Sequence, residues 1–414
     1  MTSKKYVPFI IGVLLLTALL LIPFSKHTNP TNHRQPDDNT TIQPAQGELI
    51  IDQLSEIHVN VSLPAAEFEL LTERNRHFMM KYPHIDVQLT NEPSTDKAYA
   101  EWTLQSRQGE AADVMLLDND WVKPFAVSGF LQAVDSIMTG DVLSDQMIGL
   151  LELLKWNGYI WGVPKDVNPY VVAWSSNLLE QSGFQTAPAE WTAYQAVANQ
   201  AIASNPQVTI VQLSEDNLKQ QLVWLATFQT EQTSLINLKA YNNLQMDQLQ
   251  WLRTMEQHVG RQKLEDVQAI AESILENRLL AAVIPWAVYE NLSESIRSEL
   301  IVDRNRTFYP WLNGRSYVIS SGTEAEEEAM LWIQEVTDIY EQQKNYDLFN
   351  LLPVRASLYA LNRDIQIVQA RMPPAWWERL LNVKQPPEQL PLPDPLWPEK
   401  WKLKKEETAL IYSD

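Results

Sequence analysis

The chain has 414 residues, 45% of them apolar, enough for two lobes of ordinary domain size, each with its own core. It contains no cysteine, which excludes disulfides, thiolate metal sites and cysteine nucleophiles. A formal net charge of -20 argues against nucleic acid as a partner, because phosphate binding needs a basic footprint, and it suits solubility in an exposed, salty compartment.

Lys4 and Lys5 precede an uncharged apolar run from Val7 to Ile22, a little short of the ~20 residues that span a bilayer. No small-x-small cleavage site follows, only Ile22-Pro23-Phe24-Ser25-Lys26. Residues 1–24 therefore read as an uncleaved anchor with the lysines inside and the body outside the cell; a removed signal and a secreted body are the alternative. The next stretch, to about Glu48, is rich in Asn, Thr, Gln and Pro and cannot bury enough surface to fold, so residues 25–55 read as a flexible linker.

Globular patterning begins where Ile57, Val59 and Val61 alternate with His58 and Asn60, as in a half-buried strand. A helix is predicted after Pro64, carrying Phe68, Leu71, Phe78 and Tyr82, followed by a strand through Ile85, Val87 and Leu89. Residues 112–131 (ADVMLLDNDWVKPFAVSGFL) read as a buried strand, an acidic and aromatic turn at Asp118 to Trp121, and a helix ending at Gly129. Such a loop at a strand's carboxyl end is a binding loop by type. Residues 156–179 (WNGYIWGVPKDVNPYVVAWSSNLL) read as a tight Asn157-Gly158 hairpin, a strand ending at Pro164 and a second strand from Val171 to Trp174.

Helical periodicity then predicts helices over 194–204, 217–227, 246–259 and 264–276, and an apolar strand over 279–284 leads to Pro285-Trp286. Thr323 with Glu326 reads as a capping box, with Met330, Ile333, Val336 and Tyr340 on one face of the helix it starts. The acidic run Glu324, Glu326, Glu327 and Glu328 reads as favourable charge at that helix's amino terminus rather than as a metal cluster. Strands alternating with helices point to an α/β fold.

Catalytic constellations are nearly absent. The six histidines are scattered, and no H-E-x-x-H, Walker A, G-x-G-x-x-G or G-x-S-x-G occurs, so no catalytic residue, metal ligand or cofactor is assigned. Asp118 and Asp120 could form a glycosidase pair only at a separation that sequence does not give.

The two quoted segments resemble the family 1 extracellular solute-binding proteins of ABC importers, which include maltose-binding protein. Residues 68–87 (FELLTERNRHFMMKYPHIDV), 187–194 (APAEWTAY), 275–286 (LENRLLAAVIPW) and 352–357 (LPVRAS) resemble further family segments in the same order, with Glu190 where Thr is usual and without the glycines expected before Trp286. The resemblance implies a two-lobed α/β fold, periplasmic-binding-protein-like of type II, with an interlobe cleft. It implies lobes of 56–167 with 315–360 and of 168–314 with 361–414, and three crossings: near Asp166 to Pro169, Leu312 to Arg315 and Tyr359 to Asn362. The partners implied are a small-molecule solute and ABC permease membrane subunits, with membrane attachment through the amino terminus and a monomeric body.

Sugars have an apolar C–H face and a rim of hydroxyls, so a site for them needs flat aromatic rings beside carboxylate or amide acceptors. The chain has 15 Trp against 12 Gly, and the resemblance places Asp120, Trp121, Asn168, Tyr170, Trp286 and Trp311 at ligand-contacting positions. Trp121 stands where maltose-binding protein has Arg, and Asn168 is neutral at a carboxylate position. Trp224, Tyr289 and Tyr309 also fall on family loop positions, whereas Trp376, Trp377, Trp397 and Trp401 lie in a Pro-rich tail and read as packing residues. Arg315 and Arg355 read equally as cleft residues or as structural ion pairs. The expected function is capture of a sugar or oligosaccharide for import. A membrane-anchored sensor of the same fold and a glycan-active enzyme remain alternatives.

Overall fold

The computed structural model describes residues 54–214, 217–229, 235, 238–261, 267–360, 370–385 and 390–412. The expected anchor and nearly all of the linker lie outside the described residues. No described helix is long and apolar enough to cross a membrane.

Two mixed sheets organise the body. The first contains β1 (Ser55–Val61), β2 (Ile85–Asn91), β3 (Val114–Asp118) and β4 (Leu131–Gln132), joined by β7 (Val163–Val167) and β13 (Gly314–Ser320). Its order is β2-β1-β3-β13-β4, with β7 also paired to β13. β1 runs parallel to β2 and β3, and β13 is antiparallel to its three partners. The alternation read in β1 has a direct cause: Ile57, Val59 and Val61 are wholly buried. The first four residues of β3 are buried, as suits a central strand covered on both faces.

The second sheet has β8 (Tyr170–Ser175), β9 (Val211–Gln212), β10 (Val259–Gly260), β11 (Ala281–Pro285) and β12 (Leu300–Val302), in the order β10-β9-β11-β8-β12. A small hairpin, β5 (Lys155–Trp156) with β6 (Tyr159–Ile160), turns through Asn157 and Gly158, both at positive φ as such a two-residue turn demands. The chain leaves the first sheet at Val167 and enters the second at Tyr170. It leaves the second at Val302 and re-enters the first at Gly314. The third expected crossing runs into residues 361–369, outside the described residues.

Four local expectations need correction. The strand expected to end at Pro164 instead begins at Val163; Pro164 faces Ser316 next to a register irregularity, where a missing N–H costs the ladder little. Thr323 does not form a capping box. Its hydroxyl donates to Asp113 Oδ1 at 2.5 Å and accepts from Ala325 N, and the Glu326–Val336 helix starts without a side-chain cap. That helix also ends before Tyr340, because Asp338 caps a new one, Ile339–Phe349, which leaves Tyr340 exposed. The helix expected over 246–259 stops at Thr254 and tightens into a short 3₁₀ turn.

The tail, expected to belong to the second lobe, contacts both. The Ala375–Leu381 helix packs on Ile148–Leu154, a helix of the first lobe. A Cβ on Gly149 would lie 2.6 Å from the Leu381 carbonyl oxygen, so glycine is what lets the two segments meet.

Candidate functional site

β3 delivers Asp118 at its carboxyl end, and the Asn119–Val127 helix starts at once, so Asn119, Asp120 and Trp121 occupy its first turn and are all buried. Trp121 stacks on Tyr99, with centroids 4.4 Å apart. Asn119 accepts a hydrogen bond from Ser316 Oγ at 2.6 Å. Its amide presses on the crossing strand: a Cβ at Gly314 would sit 2.5 Å from Asn119 Nδ2 and 3.1 Å from the Trp311 carbonyl oxygen. Gly314→Ala is accordingly expected to cost about 1–3 kcal/mol by overpacking, read as a lower urea midpoint with unchanged slope.

The second lobe answers with the Leu218–Ala226 helix. Asn217 caps it through Gln220 N and donates from Nδ2 to Tyr170 Oη at 2.9 Å. Lys219 crosses between lobes. Its Nζ donates to Asp118 Oδ2 at 2.5 Å and lies 3.3 Å from Asp120 Oδ1. Burial disfavours the ammonium, but the two carboxylates outweigh it and hold Lys219 above its ordinary pKa. Burial pushes Asp120 up, more than Lys219 pulls it down.

Pro285 pairs with Tyr170 across β11 and β8, which brings Trp286 beside the crossing. Trp286 N donates to the Pro169 carbonyl at 2.8 Å, and Ala287 N donates to Asn168 Oδ1 at 2.9 Å. Asn168 and Pro169 thus each serve one orphan-end amide of the Trp286–Asn291 helix, and Asn168 exchanges bonds with Asn313: Asn168 N to the Asn313 carbonyl, Asn313 Nδ2 to the Asn168 carbonyl. Trp286 itself lies within a set of rings that sequence did not foresee. Tyr289, Trp376 and Trp377 have centroids 5.2, 5.4 and 5.3 Å away. The tail tryptophans, read as simple packing, meet the site residue directly.

Other expected residues sit apart from this convergence. Trp311 is 1% exposed and packs edge-on to Tyr309. Trp224 is wholly enclosed with Trp174, Tyr194 and Phe228. Arg315 is a structural ion pair, bonding Asp166 through Nε and Nη2 at 2.8 and 2.6 Å and Glu67 at 2.8 Å. Arg355 donates to the Val142 carbonyl. Several buried polar atoms of these residues have no hydrogen-bond partner: Asp120 Oδ2, whose fellow oxygen is ion-paired with Lys219, Asn119 Nδ2, and the indole N–H groups of Trp286 and Trp377. These are groups that solute hydroxyls would satisfy. A cavity of about 10 Å³ beside Tyr170, lined also by Trp174, Val223, Thr227 and Phe308, has room for about one water.

The Arg315 network predicts a pH effect. Burial opposes the Asp166 carboxylate, but Arg315 and Lys165 overcome it and lower its pKa from 3.8 to about 2. A depressed carboxylate contributes stability that is complete above its unfolded value and lost as pH falls from about 4 through 2. Between those limits the loss is about 2 kcal/mol from this group. Urea melts at pH 5 and pH 2.5 should show it, and the drop should shrink by about that amount in Asp166→Asn.

The model of the bacterial extracellular solute-binding proteins matches residues 63–339. The chain belongs to that family. Solved structures agree on the fold. The GacH receptor of Streptomyces glaucescens, studied unliganded and with acarbose, is 15% identical, covers 87% of this chain and 94% of its own, and superposes with a TM-score of 0.62. The maltose-bound MalE3 of T. maritima is 16% identical over 86% and 94%, with the same TM-score. The maltotriose-binding protein of Thermus thermophilus is 15% identical over 86% and 94%, at 0.58. At these identities the likeness is one of fold: two α/β lobes with a cleft between them. This solute-binding protein meets its relatives in architecture.

Proposed function

We propose that this protein captures a sugar or oligosaccharide between its lobes and presents it to the membrane subunits of an ABC importer, as a monomer without catalysis of its own. Residues 56–167 with 315–360 form one lobe in this reading, and 168–314 with most of the tail the other. The observation that carries it is the approach of the two lobes at the Leu218–Ala226 helix, where Lys219 bonds Asp118 and pairs with Asp120, next to Trp121 in sequence, while Asn217 bonds Tyr170, the residue that pairs with Pro285 just before Trp286. A carboxylate beside aromatic faces matches the two-sided chemistry of a sugar ring. Trp376 and Trp377 join the site on this reading. Asn168 acts at one remove by fixing the turn that carries Trp286, and Trp311 supports the crossing from the core.

Closure around solute then shifts an open to closed equilibrium, and the closed form engages the permease. A thermal-shift screen with maltose, maltotriose and acarbose tests the ligand class, since a sugar that binds only the folded protein at a hundred times its dissociation constant adds about 2.7 kcal/mol. A rise with glycerol phosphate or polyamine and none with sugars removes the sugar assignment; chain cleavage of the oligosaccharide would establish an enzyme instead.

Residues 1–24 hold the body at the cell surface in this proposal. The mature protein is expected to keep its first residues and fractionate with the membrane. An amino terminus beginning after Phe24, recovered from the medium, would refute the anchor.

A further inference from the structure

The carboxy-terminal helix, Trp397–Tyr412, touches both lobes. Trp397, Trp401, Lys404 and Thr408 recur at helical spacing and form its inward stripe, with Trp397, Lys404 and Thr408 buried. Toward the second lobe the contacts are enclosed. Lys404 Nζ donates to the Lys239 carbonyl at 2.9 Å and lies 3.3 Å over the Tyr241 ring, and the Tyr241 and Thr408 hydroxyls share a 2.7 Å hydrogen bond. Toward the first lobe they include two ion pairs to the Thr95–Gln108 helix: Arg107 with Glu399 at 2.6 Å and Lys405 with Asp96 at 2.5 Å. Arg107, Glu399 and Asp96 are largely exposed. The helix also packs on Asn119–Val127 and Leu218–Ala226, the two helices whose first turns hold Asp120 and Lys219.

We propose that this helix is a strap that holds the lobes shut before any solute arrives, and that the cleft admits solute when the strap releases the first lobe. The asymmetry of its contacts sets which end lets go. Exposed ion pairs contribute little each and are screened by salt, whereas the Lys404, Tyr241 and Thr408 contacts are out of water. Release therefore breaks Arg107–Glu399, Lys405–Asp96 and the packing on Asn119–Val127 while the strap stays docked on the second lobe. The inference rests on the two-lobed fold and not on the solute, so it stands or falls apart from the sugar assignment.

Hydrogen exchange read by mass spectrometry on the full chain tests it. The backbone amides at the start of the Asn119–Val127 and Leu218–Ala226 helices report opening even when the open form is rare. Reversing the strap charges, Glu399→Lys with Lys405→Glu, is expected to speed exchange in both segments about tenfold while peptides of β1 and β11 keep their parental rates. Adding Arg107→Glu and Asp96→Lys should restore slow exchange. Raising salt to 1 M should speed the same two segments in the unaltered protein, which serves as the arm that needs no variant. Unchanged cleft exchange in both the reversed protein and at high salt would overturn the proposal. So would acceleration spread evenly over the whole chain, or failure of the four-residue swap to restore slow exchange.

Discussion

Lys219→Met is expected to open the protein. The substitution keeps the stem and removes the ammonium, which leaves the neighbouring Asp118 and Asp120 carboxylates without their counter-charge at a dry interface. Breaking a buried pair by removing one partner typically costs about 3–5 kcal/mol, because the remaining charge is uncompensated. Here the molecule has an alternative to unfolding: the lobes can part and let water reach the acids. The result should be a larger radius of gyration by small-angle scattering and a melting point lower by roughly 5 °C or more. Asp120→Asn, added to Lys219→Met, should return much of the compactness, since one of the two charges is then gone. A Lys219→Met protein with parental scattering and melting would show that the crossing lysine does not hold the lobes.

Trp286→Ala should hurt the fold as well as the site. A tryptophan 3% exposed and ringed by Tyr289, Trp376 and Trp377 leaves a cavity when truncated, at a cost of about 3–5 kcal/mol. The resemblance implies only a ligand contact for Trp286; the tail tryptophans that reach it add the packing role. Trp286→Phe separates the two effects. It keeps an apolar ring and most of the packing, so stability should fall much less, while loss of the indole face and N–H should still weaken a confirmed ligand by about 1–3 kcal/mol, some 5- to 150-fold. Calorimetry that found Trp286→Phe binding as tightly as the parent would remove Trp286 from the site.

What could be read from sequence was what neighbouring residues decide among themselves. The apolar run of β3, the helix after it and the Asn157-Gly158 hairpin are local and took the form their residues dictate, whereas the turn expected at Asp118 to Trp121 is instead the last residue of β3 and the first turn of that helix. The first-lobe half of the candidate site was legible for that reason. Its other half was not, because Lys219 stands 101 residues beyond Asp118 and a single lysine after a helix cap reads as an ordinary solvated charge. Only its place in an otherwise buried stretch, LKQQLVWLA, hinted at a partner. The Pro-rich tail carried no periodic signal for which lobe it would meet. Thr323 failed in the opposite way: a good local capping pattern lost to Asp113, 210 residues earlier in the chain, whose carboxylate competes for the same hydroxyl.

The mutual fastening of Asn168 and Asn313 makes their spot a fulcrum. Asn313 holds φ at 68°, a conformation asparagine tolerates better than most side chains, so the turn is set by residue type as well as by its bonds. Two passages of the chain are pinned there, and displacement on opening grows with distance from the pin. Trp286 is tied to the fulcrum through Pro169 and, one residue on, through Asn168. Asp120 and Lys219 ride on opposite arms. When the arms swing apart, Trp286 stays with the pin while the Lys219 contacts to Asp118 and Asp120 open. On the proposed reading, a solute that lands on Trp286 first is held by the part of the joint that turns least, and the order of contact follows from the leverage.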